Sequence, residues 1–138
     1  MKASGINYLV DAGPIAGLFN LNDQWHVWST AVLTALDEPV GTTETVWAEV
    51  CHLLGRNRPC LLAAIHALHA GRIILLPVWH GSARIATLLE KYPQMDAGDA
   101  SLVVLSEKLP RAKIITTDVR DFTVYRRFRN ETLPLIHP

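Results

Sequence analysis

Short apolar runs separated by helical stretches constrain this chain more than any other feature. Residues 8–11, 40–42, 72–76, 113–117 and 133–136 each read as a strand of only a few residues, most with little polar character. The segments between them carry helical spacing and helix punctuation. The expected helices are 15–20, Asp23 to about Leu36, 44–54, Pro59 to a stop at Gly71, 81–92 and 96–109. Pro14 suits a first helical turn, Thr42 or Thr43 a cap, and Gly55 a stop. Strands that alternate with helices and lack a polar face belong in a parallel sheet covered on both sides. The expected fold class is therefore α/β: one three-layer α/β/α domain over residues 1–138 with a central, mainly parallel sheet.

Bulk properties narrow the function classes. Hydrophobic residues make up 49% and charged residues 19%, so the chain has the means to bury a core and is not a disordered tail. No apolar run approaches the roughly 20 residues needed to cross a bilayer. The N-terminal residues are expected to lead into a strand with no signal-peptide core, and the expected location is the cytoplasm. Cys51 and Cys60 form no C-x-x-C motif and read as reduced thiols. A net charge of zero excludes a global basic footprint, so any nucleic-acid surface must be local.

Four acids stand out against this frame. Asp11 closes the first apolar run and Asp118 closes the run at 113–117. In open parallel sheets the carboxyl ends of the strands border the ligand crevice, so both acids should point there. Asp99 lies in the first turn of the helix at 96–109. Glu49 shares helical spacing with Val46, Val50 and Leu53, which puts it on an apolar face in need of a partner. Each acid also has a purely structural explanation. Asp11 suits an Asx-turn or a cap, Asp96 and Asp99 have capping-box spacing, residues 118–121 suit a polar turn, and Glu49 can reach solvent at its helix rim. Converging carboxylates repel one another and resist desolvation, however, and a hard divalent cation such as Mg²⁺ or Mn²⁺ relieves both.

The motifs carry a family resemblance. Leu9-Val10-Asp11-Ala12-Gly13-Pro14, the stretch from Thr42-Thr43-Glu44 to Trp47-Ala48-Glu49-Val50, Asp96-Ala97-Gly98-Asp99-Ala100-Ser101-Leu102-Val103, and Ile115-Thr116-Thr117-Asp118-Val119-Arg120-Asp121-Phe122 resemble the successive blocks of a PIN domain. In particular the chain resembles the VapC toxins of bacterial toxin–antitoxin pairs, over about residues 8–126. Val119 departs from the pattern, standing where a basic or polar residue is common. The resemblance implies an Mg²⁺- or Mn²⁺-dependent endoribonuclease with Asp11, Glu49, Asp99 and Asp118 as catalytic and metal-binding acids. It implies RNA products with 5′-phosphate and 3′-hydroxyl ends. It also implies a cognate antitoxin and a homodimer as partners. Asp96 and Asp121 take supporting roles, Asp96 chiefly as a cap. Thr117, next to Asp118, is the expected supporting hydroxyl.

RNA must also be held. Arg120, Arg126 and Arg127, with Arg129, form a local basic stretch around Tyr125 and Phe128. Guanidinium groups grip phosphates and aromatic rings stack on unpaired bases, although Phe128 is expected to pack on the core. His66 and His69 are three residues apart but lack a third ligand nearby and are expected on a helix surface. The tryptophans read as core or interface residues, and the helices carrying Trp25–Trp28 and Leu53–Leu68 are candidates to meet a partner. Two rival classes fit the sequence less well. A dehalogenase-like phosphatase would carry a second acid at position 13, which is glycine here. A catalytically inactive PIN-like RNA-binding or adaptor module would not need all four acids.

Overall fold

The computed structural model describes residues 5–138; the expectation that the extreme N-terminus runs straight into the first strand concerns residues 1–4 in part and so lies outside the described residues. Five strands form one all-parallel sheet: β1 (Tyr8–Val10), β2 (Val40–Thr42), β3 (Ile73–Leu75), β4 (Lys113–Ile115) and β5 (Leu135–Ile136), in the order β3-β2-β1-β4-β5. Seven α-helices accompany them among the described residues: α1 (Ala12–Phe19), α2 (His26–Thr34), α3 (Glu44–Leu54), α4 (Arg58–His69), α5 (Ser82–Lys91), α6 (Ala97–Lys108) and α7 (Val119–Phe122). None is long and apolar enough to cross a membrane.

The strand order determines where a site forms. The chain winds outward from β1 through β2 to β3, then crosses back to place β4 on the other side of β1. Because parallel crossovers are right-handed, this reversal puts α1–α4 on one face and α5–α7 on the other. The crevice of such a sheet opens where the order reverses, between the carboxyl ends of β1 and β4.

Burial explains the legible strands. Leu9, Val10, Ile114 and Ile115 are fully buried, so the central strands have no polar face to show. Every residue of α6 from Ala100 to Ser106 is buried, because the helix packs against α3, α5 and β4. A helix enclosed in this way loses its amphipathic stripe. Thr43 caps α3 by accepting the Val46 N–H at 3.1 Å, and its hydroxyl meets that of Ser101 on α6 at 2.8 Å. Gly71 ends the loop after α4 at φ +79°, a conformation that favours glycine.

Several expectations shift. Helix α1 starts at Ala12 rather than residue 15, because Asp11 itself is the N-cap and Pro14 falls inside the first turn. Helix α2 is shorter than expected: Asp23 accepts the Trp25 N–H at 2.8 Å, but the helix begins only at His26. Leu62 and Ile65, which share one face of α4 at helical spacing, are exposed, while Ala64 is fully buried. A small side chain lets α4 approach its neighbours, and periodicity alone does not say which stripe meets the core. Phe128 is also outside, 57% exposed, with the Arg84 guanidinium 4.2 Å above its ring.

Candidate metal centre

Three helices begin at the crevice, and each is capped by an aspartate. Asp11 directly follows β1, and its backbone N–H extends the ladder to Ile115 O at 3.0 Å. Its Oδ1 accepts the Ala12 N–H at 2.8 Å, capping α1. Asp96 caps α6 by accepting the Asp99 N–H at 2.8 Å. Asp118 caps α7 by accepting the Asp121 N–H at 3.1 Å. The helix N-termini bring partial positive charge to the place where the carboxylates gather, which offsets part of their repulsion.

A cleft of about 230 Å³ is lined by Asp11, Glu49, Asp96, Asp99, Thr117 and Asp118, with apolar walls from Val46 and Leu53. The four acids expected to act together therefore border one cavity. Two of its acids, Asp99 and Asp118, form a tighter group with Asp121 beside the cleft, each of the three offering a carboxylate oxygen within 4.8 Å of the other two. Asp121 thus stands closer to the centre of the cluster than its supporting role implied. Neither Asp11 nor Glu49 joins such a tight group among the described residues. Glu49 is exposed at the rim of α3 and Leu53 is 50% exposed, whereas Val46 and Val50 are buried, so only the Glu49–Leu53 edge of the expected face opens to solvent beside the cleft. Residues 118–121, readable as a polar turn, supply the N-cap and first three residues of α7.

The electrostatics follow from burial and crowding. Desolvation lifts Asp11 to about 6, with the charges of Asp118 and Asp96 adding to it, against the Ala12 N–H and Thr116 hydroxyl that favour ionisation. Asp99 is lifted to about 8, first by desolvation and then by Asp96 and Asp11, although the Tyr125 hydroxyl opposes the shift. Asp121 is raised as well, by desolvation and then by Asp118. Groups this crowded are held in a state that a cation would relieve.

Two supporting groups, Thr116 and Tyr125, take roles that differ from those the sequence suggests. Thr116, fully buried, donates from Oγ1 to Asp11 Oδ2 at 3.0 Å and accepts the Asp118 N–H at 3.0 Å, tying the ends of β1 and β4 together. Thr117, the hydroxyl expected to serve, lines the cleft instead; a Cβ at position 13 would lie 2.4 Å from its Oγ1, so Gly13 lets α1 start against this turn. Tyr125, expected as a base-stacking ring, is buried, and its hydroxyl donates to Asp99 Oδ2 at 2.6 Å. The period of a buried strand could have separated inward Thr116 from Thr117; no local signal marks Tyr125.

The basic stretch is largely committed within the chain. Arg126 Nη1 donates to the carbonyls of Thr123, Val124 and Tyr125 at 2.7, 3.1 and 3.0 Å. Arg127 Nη1 donates to Ser106 O, Ser106 Oγ and Pro110 O at 3.2, 3.2 and 3.0 Å, with its side chain only 10% exposed. Arg120 is exposed.

No protein-family model matches the sequence, and no curated protein matches it either. Solved structures share the fold. VapC20 of Mycobacterium tuberculosis, a sarcin–ricin loop cleaving toxin, aligns at a TM-score of 0.64 and 18% identity, covering 78% of this chain and 86% of that one. A toxin–antitoxin complex from Klebsiella pneumoniae aligns at a TM-score of 0.68 and 18% identity, covering 92% of this chain and 97% of that one. The sheet and helices described above are the architecture of these toxins.

Proposed function

We propose that this protein is a VapC-type, divalent-metal-dependent endoribonuclease that hydrolyses RNA phosphodiester bonds. The observation that carries this reading is the convergence of Asp11, Asp99, Asp118 and Asp121 at the β1–β4 crevice, with Glu49 at its rim. The donor set is all oxygen, with no thiolate or imidazole among the cleft-lining residues, which fits Mg²⁺ or Mn²⁺ rather than a softer ion. Asp99, Asp118 and Asp121 would hold the ion, with Asp11 and Glu49 completing the acidic wall. When bound, such an ion neutralises charge on the scissile phosphate and activates water as the nucleophile. Thr116 keeps Asp11 and Asp118 in register, and the helix caps orient the remaining carboxylates. The exposed Arg120, two residues after Asp118 and near enough for its charge to act on Asp121, is the arginine best placed to grip the RNA backbone; Arg126 and Arg127 serve chiefly the fold. The fold shared with a sarcin–ricin loop cleaving toxin supports the same reading.

The partners follow from exposed surface. A groove of about 490 Å³ between α1, α2, β2 and α4, walled by Leu18, Phe19, Leu33 and Leu36 and edged by Glu38 and Arg72, fits an apolar antitoxin segment. The toxin–antitoxin complex of the same fold supports such a partner. Leu53, Leu62 and Ile65 leave a further apolar surface outside, consistent with a homodimer. We read residues 1–138 as one domain of a cytoplasmic protein.

The test compares wild type with Asp11→Asn on single-stranded and structured RNA in Mg²⁺ or Mn²⁺. Wild type should cleave and the variant should lose more than roughly 100-fold in rate, beyond the cost of losing an outer-shell partner. Equal rates would overturn the site. RNA binding by wild type without any cleavage would identify an inactive RNA-binding module instead.

A further inference from the structure

Tyr125 has one polar side-chain atom, and the fold aims it at Asp99. Its ring is fully buried, packed edge-to-face against Tyr92 (centroids 5.2 Å apart, 68°) and Phe122 (5.3 Å, 73°). Its backbone is held as firmly. The Tyr125 N–H donates to Asp121 O at 3.1 Å, and Arg126 Nη1 draws together the three carbonyls of residues 123–125. The next N–H, that of Arg126, donates to the Tyr92 hydroxyl at 3.1 Å. A buried tyrosine needs a partner for its hydroxyl, and a backbone carbonyl would serve. Here the partner is a carboxylate of the acidic cluster, on a different helix and 26 residues away in sequence.

That bond joins the two halves of the cluster. Asp118 and Asp121 belong to α7 and the turn before it, while Asp99 belongs to α6. Tyr125 follows directly from α7, so its hydroxyl fixes Asp99 relative to the α7 pair. It also occupies one Asp99 oxygen with a neutral donor and leaves the other for a ligand. We propose that Tyr125 is a positioning residue that sets the Asp99 carboxylate for cation binding, through a hydrogen bond spanning α6 and the turn after α7. The inference rests on the metal-site reading above and names one residue that completes it. Groups that orient metal ligands in this way typically contribute about 10- to 100-fold in metal affinity.

The experiment is calorimetric titration of Mn²⁺ into EDTA-stripped, dialysed protein, comparing wild type, Tyr125→Phe and Tyr92→Phe. Tyr125→Phe keeps the ring and its packing and deletes only the donor. Tyr92→Phe deletes a hydroxyl from the same aromatic cluster that serves only the backbone. Tyr125→Phe should bind Mn²⁺ roughly 10- to 100-fold more weakly. Its KM for RNA at saturating Mn²⁺ should stay at the wild-type value, and Tyr92→Phe should keep wild-type Mn²⁺ affinity. Unchanged Mn²⁺ affinity in Tyr125→Phe, or an equal loss in Tyr92→Phe, overturns the inference alone. Wild-type protein that binds no Mn²⁺ overturns the metal-site reading and the inference with it.

Discussion

Asp99→Asn should give a metal-free protein that melts at a higher temperature than its parent at neutral pH and above, and should abolish the proposed RNA cleavage. The opposite signs share one cause. Asp99 sits half-buried against Asp96 and Asp11 and is held up at about 8, so the folded protein resists its ionisation while the unfolded chain does not. Asparagine has nearly the same shape, keeps an oxygen for the Tyr125 hydroxyl and carries no charge. Removing the penalty should stabilise the stripped protein by a few kcal/mol at most, after allowing for solvent screening of a half-exposed group. Activity moves the other way because the anionic ligand is gone, and the loss should exceed roughly 100-fold. Thermal melts of EDTA-treated samples and a cleavage assay in Mg²⁺ read the two effects. A variant that is less stable and equally active would place Asp99 outside the site.

The stability of the stripped wild type should fall as pH rises from about 4 through 8, and Mg²⁺ should reverse the fall. An ordinary aspartate in the unfolded chain releases its proton near 3.9. Asp11, at about 6, and Asp99, at about 8, hold theirs longer in the folded state. Between these limits the folded protein binds more protons, so stability declines with pH. The Asp11 contribution is spent by about pH 6, and that of Asp99 by about pH 8. Mg²⁺ binds the deprotonated carboxylates, so its stabilisation is small at pH 5 and largest above pH 8. Melting curves with and without saturating Mg²⁺ across this range check the trend. A rise in Tm independent of pH would mean that the ion binds elsewhere.

The sheet was legible because its strands are buried on both faces. Residues 8–10, 40–42, 73–75 and 113–115 lie within a residue or two of the expected strands, and every strand pairing is parallel. Asp11 and Asp118 were placed at the crevice by topology alone, since each follows a central strand. Side-chain direction was harder to read. Leu62 and Ile65 form an apolar stripe with helical spacing, yet the stripe faces outward, because the pattern does not say whether a stripe meets the core or another surface. Tyr125 and Phe128 exchanged their expected places for a related reason. The hold on Tyr125 comes from Asp99 on α6, Tyr92 after α5 and the backbone turn at 123–126, none of which a local window contains. Asp121 gained weight only when the short helix α7 brought its carboxylate to those of Asp118 and Asp99. Glu49 reached the cleft as expected, but from an exposed rim rather than from a buried face.

A divalent cation held among these carboxylates would make the site a nuclease. The most direct measurement is the RNA cleavage rate of purified, EDTA-stripped protein as Mg²⁺ or Mn²⁺ is restored. Cleavage should be absent in excess EDTA and should recover saturably with either ion. Full cleavage in excess EDTA would contradict this.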